Sequence, residues 1–431
     1  MNITLNRKNI YYYSFLVIIF IMLYPIIVFD SINKYNPVNF LLYWVSFLFF
    51  LYSVYSIKEK NINSYNIFLF GIFIALFLNT LNVSIKQFEK DLYDLYVFLV
   101  GPILVFIVLY VFEKINIKRI SFKTYLKINS NTFYLFIIIL YISIKLYTGL
   151  TMGFRVFEYG DITQIQSGEK FKISGLSGLA AVLQWMLLIF APYVKRKYIF
   201  IGILSIVVFS GFFDVKRGDL VRVFIFFGIY WYFFNFKMNK IKIKSILLIF
   251  FMLMSFIYLF SLYGEYRLLE RGGYEGIIKE YLGSRVDSIL FSWIYSYLAL
   301  NFDVLKLYFD FVPQYEITHF LNFFMHDIER TAIGMDTSIS GFNAATFIIP
   351  YYLDLGNFYW LEMLLVFLIF GFLMIIVKKM NFIGLYLFLL MLLFLMLFGD
   401  YFVNRTMFVT IILSILIFPF LKFEKNKDIL L

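Results

Sequence analysis

Apolar residues run along this chain in blocks of about twenty that show no polar face. A helix needs roughly 20 such residues, with a range of about 17–25, to cross a hydrocarbon core. A helix that is apolar all round belongs in lipid or in a buried bundle. The pattern predicts twelve membrane-spanning helices, at 11–29, 38–57, 66–85, 95–112, 132–149, 176–194, 198–213, 219–236, 245–263, 356–377, 382–399 and 403–421. The first follows Arg7 and Lys8 and has no small-residue cleavage site after it, so it reads as a retained span.

One stretch breaks the rhythm. Residues 264–355 contain no run of spanning length and read as one large loop with short helices. Within it, Ile289–Phe302 is apolar for about 14 residues, which suits a re-entrant or interfacial segment. The topological alternative is a crossing there and a second near Ile339–Leu355, giving fourteen spans. Farther on, His319, Asn322, His326, Glu329 and Arg330 fall on one helical face, with Phe320, Phe323, Phe324 and Ile328 largely opposite. That pattern fits a helix lying on the membrane surface or a lid over a cavity. The organisation is a nine-helix region (1–263), the loop (264–355), and a three-helix region with a short tail (356–431).

Composition sharpens the class. Of 431 residues, 62% are hydrophobic and only 15% charged, against about a quarter charged in soluble domains. This excludes a soluble globular enzyme and a disordered chain, and leaves an all-α polytopic membrane protein. The net charge of +11 is sorted by membrane side. The N-terminus, alternate connections and tail hold 21 Lys and Arg against four acids, leaving 17 bases and 23 acids elsewhere. By the positive-inside rule the basic side, including both termini, is cytoplasmic. Basic charge placed this way points to no nucleic acid. Cysteine is absent, which removes thiolate metal sites, disulfides and a Cys nucleophile.

The other side is rich in arginine: Arg155, Arg217, Arg222, Arg267, Arg271, Arg285, Arg330 and Arg405. Arg presents a planar fork of donors that matches phosphate and keeps its charge when partly buried. An outer cavity lined by Arg suits a pyrophosphate or an acidic sugar; interfacial snorkelling is the plain alternative. Asp214-Val-Lys-Arg-Gly-Asp219 is the tightest cluster. Asp219 is placed to cap the eighth span, with Arg222 in its first turn, so Arg217 and Arg222 would flank a helix N-terminus as an anion site. The same two Asp residues would equally neutralise both bases in a structural network. Arg267 and Arg271, four apart, share a face before Gly272-Gly273, or else pair with Glu270 and Glu275. His319 and His326 are seven apart and do not chelate, so no metal is expected; His326 remains a proton acceptor. No nucleotide, dinucleotide or nucleophile-elbow motif is present, and no cofactor is expected. The segment Gly341–Gly356 enters the tenth span; Pro350 is expected to break any helix there, leaving a re-entrant turn with Asp354 at the membrane boundary.

These features together resemble the Wzy-type oligosaccharide repeat unit polymerases of O-antigen or capsule. The likeness rests on many spans with one large C-terminal outer loop, on Arg217-Gly218 at an outer junction of two spans, and on Asn343, Thr346, Asp354 and Gly356 leading into the next span. Where the family often has Gly or Ser before the Arg, this chain has Val215 and Lys216. The resemblance implies a GT-C-like membrane glycosyltransferase in the bacterial inner membrane. Its partners would be undecaprenyl-pyrophosphate-linked oligosaccharide, membrane lipids and a chain-length regulator. For that task Arg217, Arg222, Arg267, Arg271, Arg285 and Arg330 are the candidate pyrophosphate or glycan ligands, and Asp354, Asp336 or His326 the candidate base or acceptor-orienting group. Outer-face Trp293 and Tyr315 would stack sugars or anchor the interface. An O-antigen ligase or a lipid-linked oligosaccharide flippase are the alternatives.

Overall fold

A computed structural model of the chain describes residues 36–60, 62–84, 87–115, 128–154, 173–214, 217–237, 295, 298–311, 346–399 and 402–422. Helix α1 spans Pro37–Lys60, α2 Ser64–Thr80 and α3 Leu92–Lys114. Next come α4 at Ser130–Met152, α5 at Leu176–Phe190, α6 at Arg196–Ile206 and α7 at Arg217–Lys237. Helix α8 is Asn301–Phe311, α9 Ile348–Leu355, α10 Tyr359–Lys379, α11 Ile383–Leu395 and α12 Arg405–Ile417. Every expected span that falls among the described residues coincides with one of these helices, α6 continuing through a π-helical stretch, Val207–Phe213. The expected spans 11–29 and 245–263 lie outside the described residues. Five stretches, Pro37–Ile57, Leu92–Lys114, Ser130–Met152, Leu176–Tyr193 and Ile348–Lys379, are long and apolar enough to cross a membrane. The fold is thus that of an all-α, membrane-embedded protein.

Helix starts are set by local polar chemistry. Asn63 accepts from the Asn66 N–H to cap α2, and Asn404 accepts from Thr406 and Met407 to cap α12. At α3, Asp91 accepts from the Asp94 N–H while the Asp94 carboxylate accepts from the Asp91 N–H, a reciprocal box. Helix α10 shows why such helices need lipid: Leu361, Leu365, Ile369, Phe372 and Ile376 are exposed along one stripe, while Met363, Val366, Phe367, Phe370 and Met374 are buried.

Helix α11 is the axis of the bundle. Nearly all of it is buried, against α2, α5, α7 and α10. In lipid, helices associate by close packing and hydrogen bonds, so small residues mark the tightest contacts. A Cβ on Gly384 would collide with the Ile189 carbonyl of α5, and one on Gly71 would come within 3.1 Å of the Phe394 carbonyl.

The contacts also sort the ends of the helices. Tyr193 accepts from Ser130 at the start of α4 and from the Gly384 N–H at the start of α11. The basic runs 195–197 and 378–379 therefore share one end of the bundle. There the Glu113 carboxylate binds Lys378 at 2.8 Å, Ser64 Oγ at 3.0 Å and Tyr386 Oη at 3.1 Å. A short parallel pairing of β1 (Ile128–Asn129) with β2 (Leu421–Lys422) lies at this end too. At the opposite end, Asn301 Nδ2 of α8 donates to the Leu397 carbonyl beyond α11. Among the described residues helix α8 has 11 residues, and α9 has eight and leads through Gly356 into α10.

Two local expectations are corrected. Pro350 does not break a helix: it sits at the third position of α9, where its missing N–H has no intrahelical partner to lose. Asp219 does not cap α7: the helix begins at Arg217, so Asp219 lies in its first turn. The His319–Arg330 amphipathic segment lies outside the described residues.

Candidate functional site

Two polar clusters occupy the end of the bundle opposite Glu113. The first forms where the π-helical stretch gives way to α7. Ser210 Oγ donates to one oxygen of Asp219, and the other accepts from Arg222 at 2.8 Å. The Arg222 guanidinium also lies 5.2 Å over the Trp185 ring of α5, a cation–π contact. Asp214 pairs with Lys145 of α4, whose ammonium lies 5.9 Å over the Tyr141 ring one turn earlier. Lys145 is seven residues short of the end of α4, about 10 Å at 1.5 Å per residue. All four charged side chains are no more than 26% exposed. Ionisable groups at such a depth mark function by default. The π-helical stretch points the same way, since such irregularities recur at functional sites. Tyr141 Oη and Gln184 Nε2 are buried with no hydrogen-bond partner among the described residues, an arrangement that packing alone does not favour.

The ion pair of Arg222 with Asp219 realises the network reading for that pair. Lys145, from outside the hexapeptide, joins it. The Arg217 backbone opens α7, and Gly218 beside it is exposed, with no atom of the described residues within 4 Å of where a Cβ would stand. Among the described residues, packing does not demand glycine there.

The second cluster joins the α2–α3 connection, α8 and the α9–α10 turn. Lys90 pairs with Asp303 at 2.5 Å, with both side chains almost fully buried. Asp303 also accepts from Asn79 Nδ2 at 2.5 Å and the Phe88 N–H at 3.0 Å. One turn along α8, Lys306 reaches Asp94 at 2.9 Å and Asp91 at 3.2 Å. Acid and base on α8 thus meet base and acids on the α2–α3 connection and the first turn of α3, in crossed pairs that fix α8 over this end.

Next to it, Gly356 ends α9 at φ +57°, ψ −127°, a conformation only glycine holds without strain. The turn carries Asp354, buried at the end of α9, and Asn357, exposed after it. Asn357 Oδ1 accepts from Tyr93 Oη, and its backbone carbonyl accepts from Tyr96 Oη at 2.9 Å. Thr346, which leads into α9, is fully buried, and its hydroxyl has no partner among the described residues.

Of the sequence-derived candidates, Arg222 belongs to the first cluster and Asp354 borders the second. Arg267, Arg271, Arg285, Arg330, Asp336 and His326 lie outside the described residues, as do Asn343, Trp293 and Tyr315. Sequence reasoning missed Lys145, Ser210 and Trp185, although a lysine inside an apolar span was a usable signal for the first. It also missed Lys90, Asp94, Asp303 and Lys306. Lys90 and Asp303 are 213 positions apart, and nothing local pairs them. Comparison of the chain with protein-family models, with curated proteins and with solved structures finds no match.

Proposed function

We propose that the chain polymerises lipid-linked oligosaccharide repeat units at the outer face of a bacterial inner membrane. In this reading the chain has twelve spans in a GT-C-like arrangement, with both termini in the cytoplasm. The observation that carries it is the placement of charge. The Arg222–Asp219–Ser210 and Lys145–Asp214 groups are set into the end of the bundle opposite Glu113, beside Arg217 and Gly218 in the first turn of α7. The opposite, lysine-rich end is the cytoplasmic one by the positive-inside rule.

The chemistry follows from the substrates. An acceptor hydroxyl oxygen attacks the anomeric carbon of the donor glycan. The anomeric C–O bond breaks, and its electron pair leaves on undecaprenyl pyrophosphate. The acceptor proton goes to a base, with Asp354, Asp336 and His326 as candidates. Negative charge grows on the leaving pyrophosphate, and fixed guanidinium groups in a water-poor site stabilise it. Asp219 and Trp185 hold Arg222 in one orientation for that role; Arg217, Arg267, Arg271, Arg285 and Arg330 complete the proposed anion-binding set. Both substrates are lipid-anchored, so a site at the membrane edge receives them without extraction.

The test is a gel of surface glycan from a strain lacking the chain, beside the same strain carrying it intact or as Arg217→Ala. A ladder that collapses to a single repeat and returns only with the intact chain is expected. Loss of even the single-repeat band, with lipid-linked units left unattached, would indicate a ligase or flippase instead.

A further inference from the structure

We propose that Tyr93, Tyr96 and Asn357 form a subsite for a neutral pyranose ring of the lipid-linked saccharide. This deepens the polymerase reading and rests on it. Tyr93 and Tyr96 stand three apart in the first turns of α3, with ring centroids 6.2 Å apart and planes 29° from parallel. Tyr93 is 37% exposed and Tyr96 is partly exposed. Tyr96 is braced from behind by the edge of Tyr359, at 6.2 Å and 85°.

The engagement of the hydroxyls distinguishes this pair from ordinary interfacial tyrosines. A belt tyrosine places its ring at the headgroups and its hydroxyl in water. Here both hydroxyls are bonded to the protein, at its surface. Tyr93 Oη meets Tyr352 Oη at 3.0 Å and donates to Asn357 Oδ1, and Tyr96 Oη donates to the Asn357 carbonyl. The polar handles are used within the protein, and the rings are held as a rigid surface that loses little entropy on binding. A pyranose presents a face of C–H groups to such a surface and hydroxyls at its rim.

Asn357 supplies the matching polar group. Its Oδ1 is engaged by Tyr93, which orients the carboxamide, and the residue itself is exposed; its Nδ2 donors are the groups proposed to meet the sugar. Gly356 at positive φ sets that turn. Asp91, two residues before Tyr93, has a carboxylate 61% exposed, which disfavours an acidic sugar and favours a hexose or N-acetylhexosamine. Phe358, next to Asn357, is 62% exposed and begins the lipid-facing stripe of α10, so a sugar on the platform sits where its lipid carrier can stay in the bilayer.

The experiment compares Tyr93→Phe, Tyr93→Leu and Asn357→Asp. Each full-length variant is purified in nanodiscs and titrated with the lipid-linked repeat unit extracted from the strain lacking the chain. Glycan ladders and protein abundance are followed in cells. Tyr93→Leu is expected to weaken binding about tenfold or more, while Tyr93→Phe stays within about twofold because the ring remains. Asn357→Asp keeps the oxygen that Tyr93 binds and removes the N–H donors, so it should weaken binding by about fivefold or more. Equal loss in the Phe and Leu variants would show that the hydroxyl bonds, and not the platform, matter. Unchanged binding in Tyr93→Leu would leave an interfacial anchor and overturn the subsite, and unchanged binding in Asn357→Asp would overturn the role of its amide. If the intact chain restores no ladder, the polymerase reading fails. If it restores one that Tyr93→Leu leaves normal, the subsite alone fails.

Discussion

The Tyr359 hydroxyl bridges the backbone of α3 just before Pro102: it accepts from the Gly101 N–H and donates to the Val97 carbonyl, each at 3.1 Å. Those two groups are one helical turn apart and would ordinarily bond each other. Pro102 has no N–H for the Phe98 carbonyl and its ring crowds that carbonyl, which disturbs the turn before it, and in a membrane the backbone groups of a disturbed turn need another partner. Gly101 makes the approach feasible, since a Cβ there would meet the Tyr359 ring at 2.9 Å.

Tyr359→Phe should therefore destabilise the chain by about 1–3 kcal/mol through buried groups left unpaired. Adding Pro102→Ala should recover part of that loss. Denaturant unfolding in detergent of the two single variants and the double would measure both. A Phe variant as stable as the parent would mean the bridge carries no weight.

Lys90→Met should cost about 3–5 kcal/mol, because Asp303 would remain as a buried charge without its cation. Lys90→Met with Asp303→Leu should be much less harmful than the sum of the two single changes. A double-mutant cycle on unfolding midpoints tests this, and simple additivity would show that the pair does not interact.

On the proposed polymerase function, Arg222→Ala should lower the polymerisation rate in membrane vesicles by about 10²-fold, the scale for loss of one preorganised donor at developing charge. Arg222→Lys should recover little, since an ammonium offers neither the planar fork nor the same stacking on Trp185. A Lys variant at the parental rate would reduce Arg222 to a simple counter-charge for Asp219.

Asp91 gives a pH-dependent cap. Partial burial, the largest influence, pushes its carboxyl up, but the Asp94 N–H, the Lys306 ammonium and the Tyr93 N–H together bring it below the ordinary value. Its folded pKa is thus lower than the unfolded value of about 3.9. The stabilisation is complete above that value and is lost as pH falls through the folded one. The gap in thermal midpoint between the parent and Asp91→Asn should hold from about pH 7 to 5 and narrow progressively as pH falls below about 4. A gap that does not narrow with acid would contradict the assignment.

The apolar blocks determined by themselves that the chain is a bundle of membrane helices, and they located the described helices other than α8 and α9 to within a few residues. Twenty apolar residues in a row have one low-energy solution in lipid, a helix that satisfies its own backbone. The Asp214–Asp219 cluster was legible too, because charges beside apolar runs stand out. Only the tertiary structure decided the partners. It brought Lys145 to Asp214, laid Arg222 on Trp185, and crossed Lys90 and Lys306 with Asp303 and Asp94. It also brought the hydroxyls of Tyr93 and Tyr96 onto Asn357. Spans follow from local hydrophobicity, whereas each of these contacts joins distant segments that meet only once the helices pack.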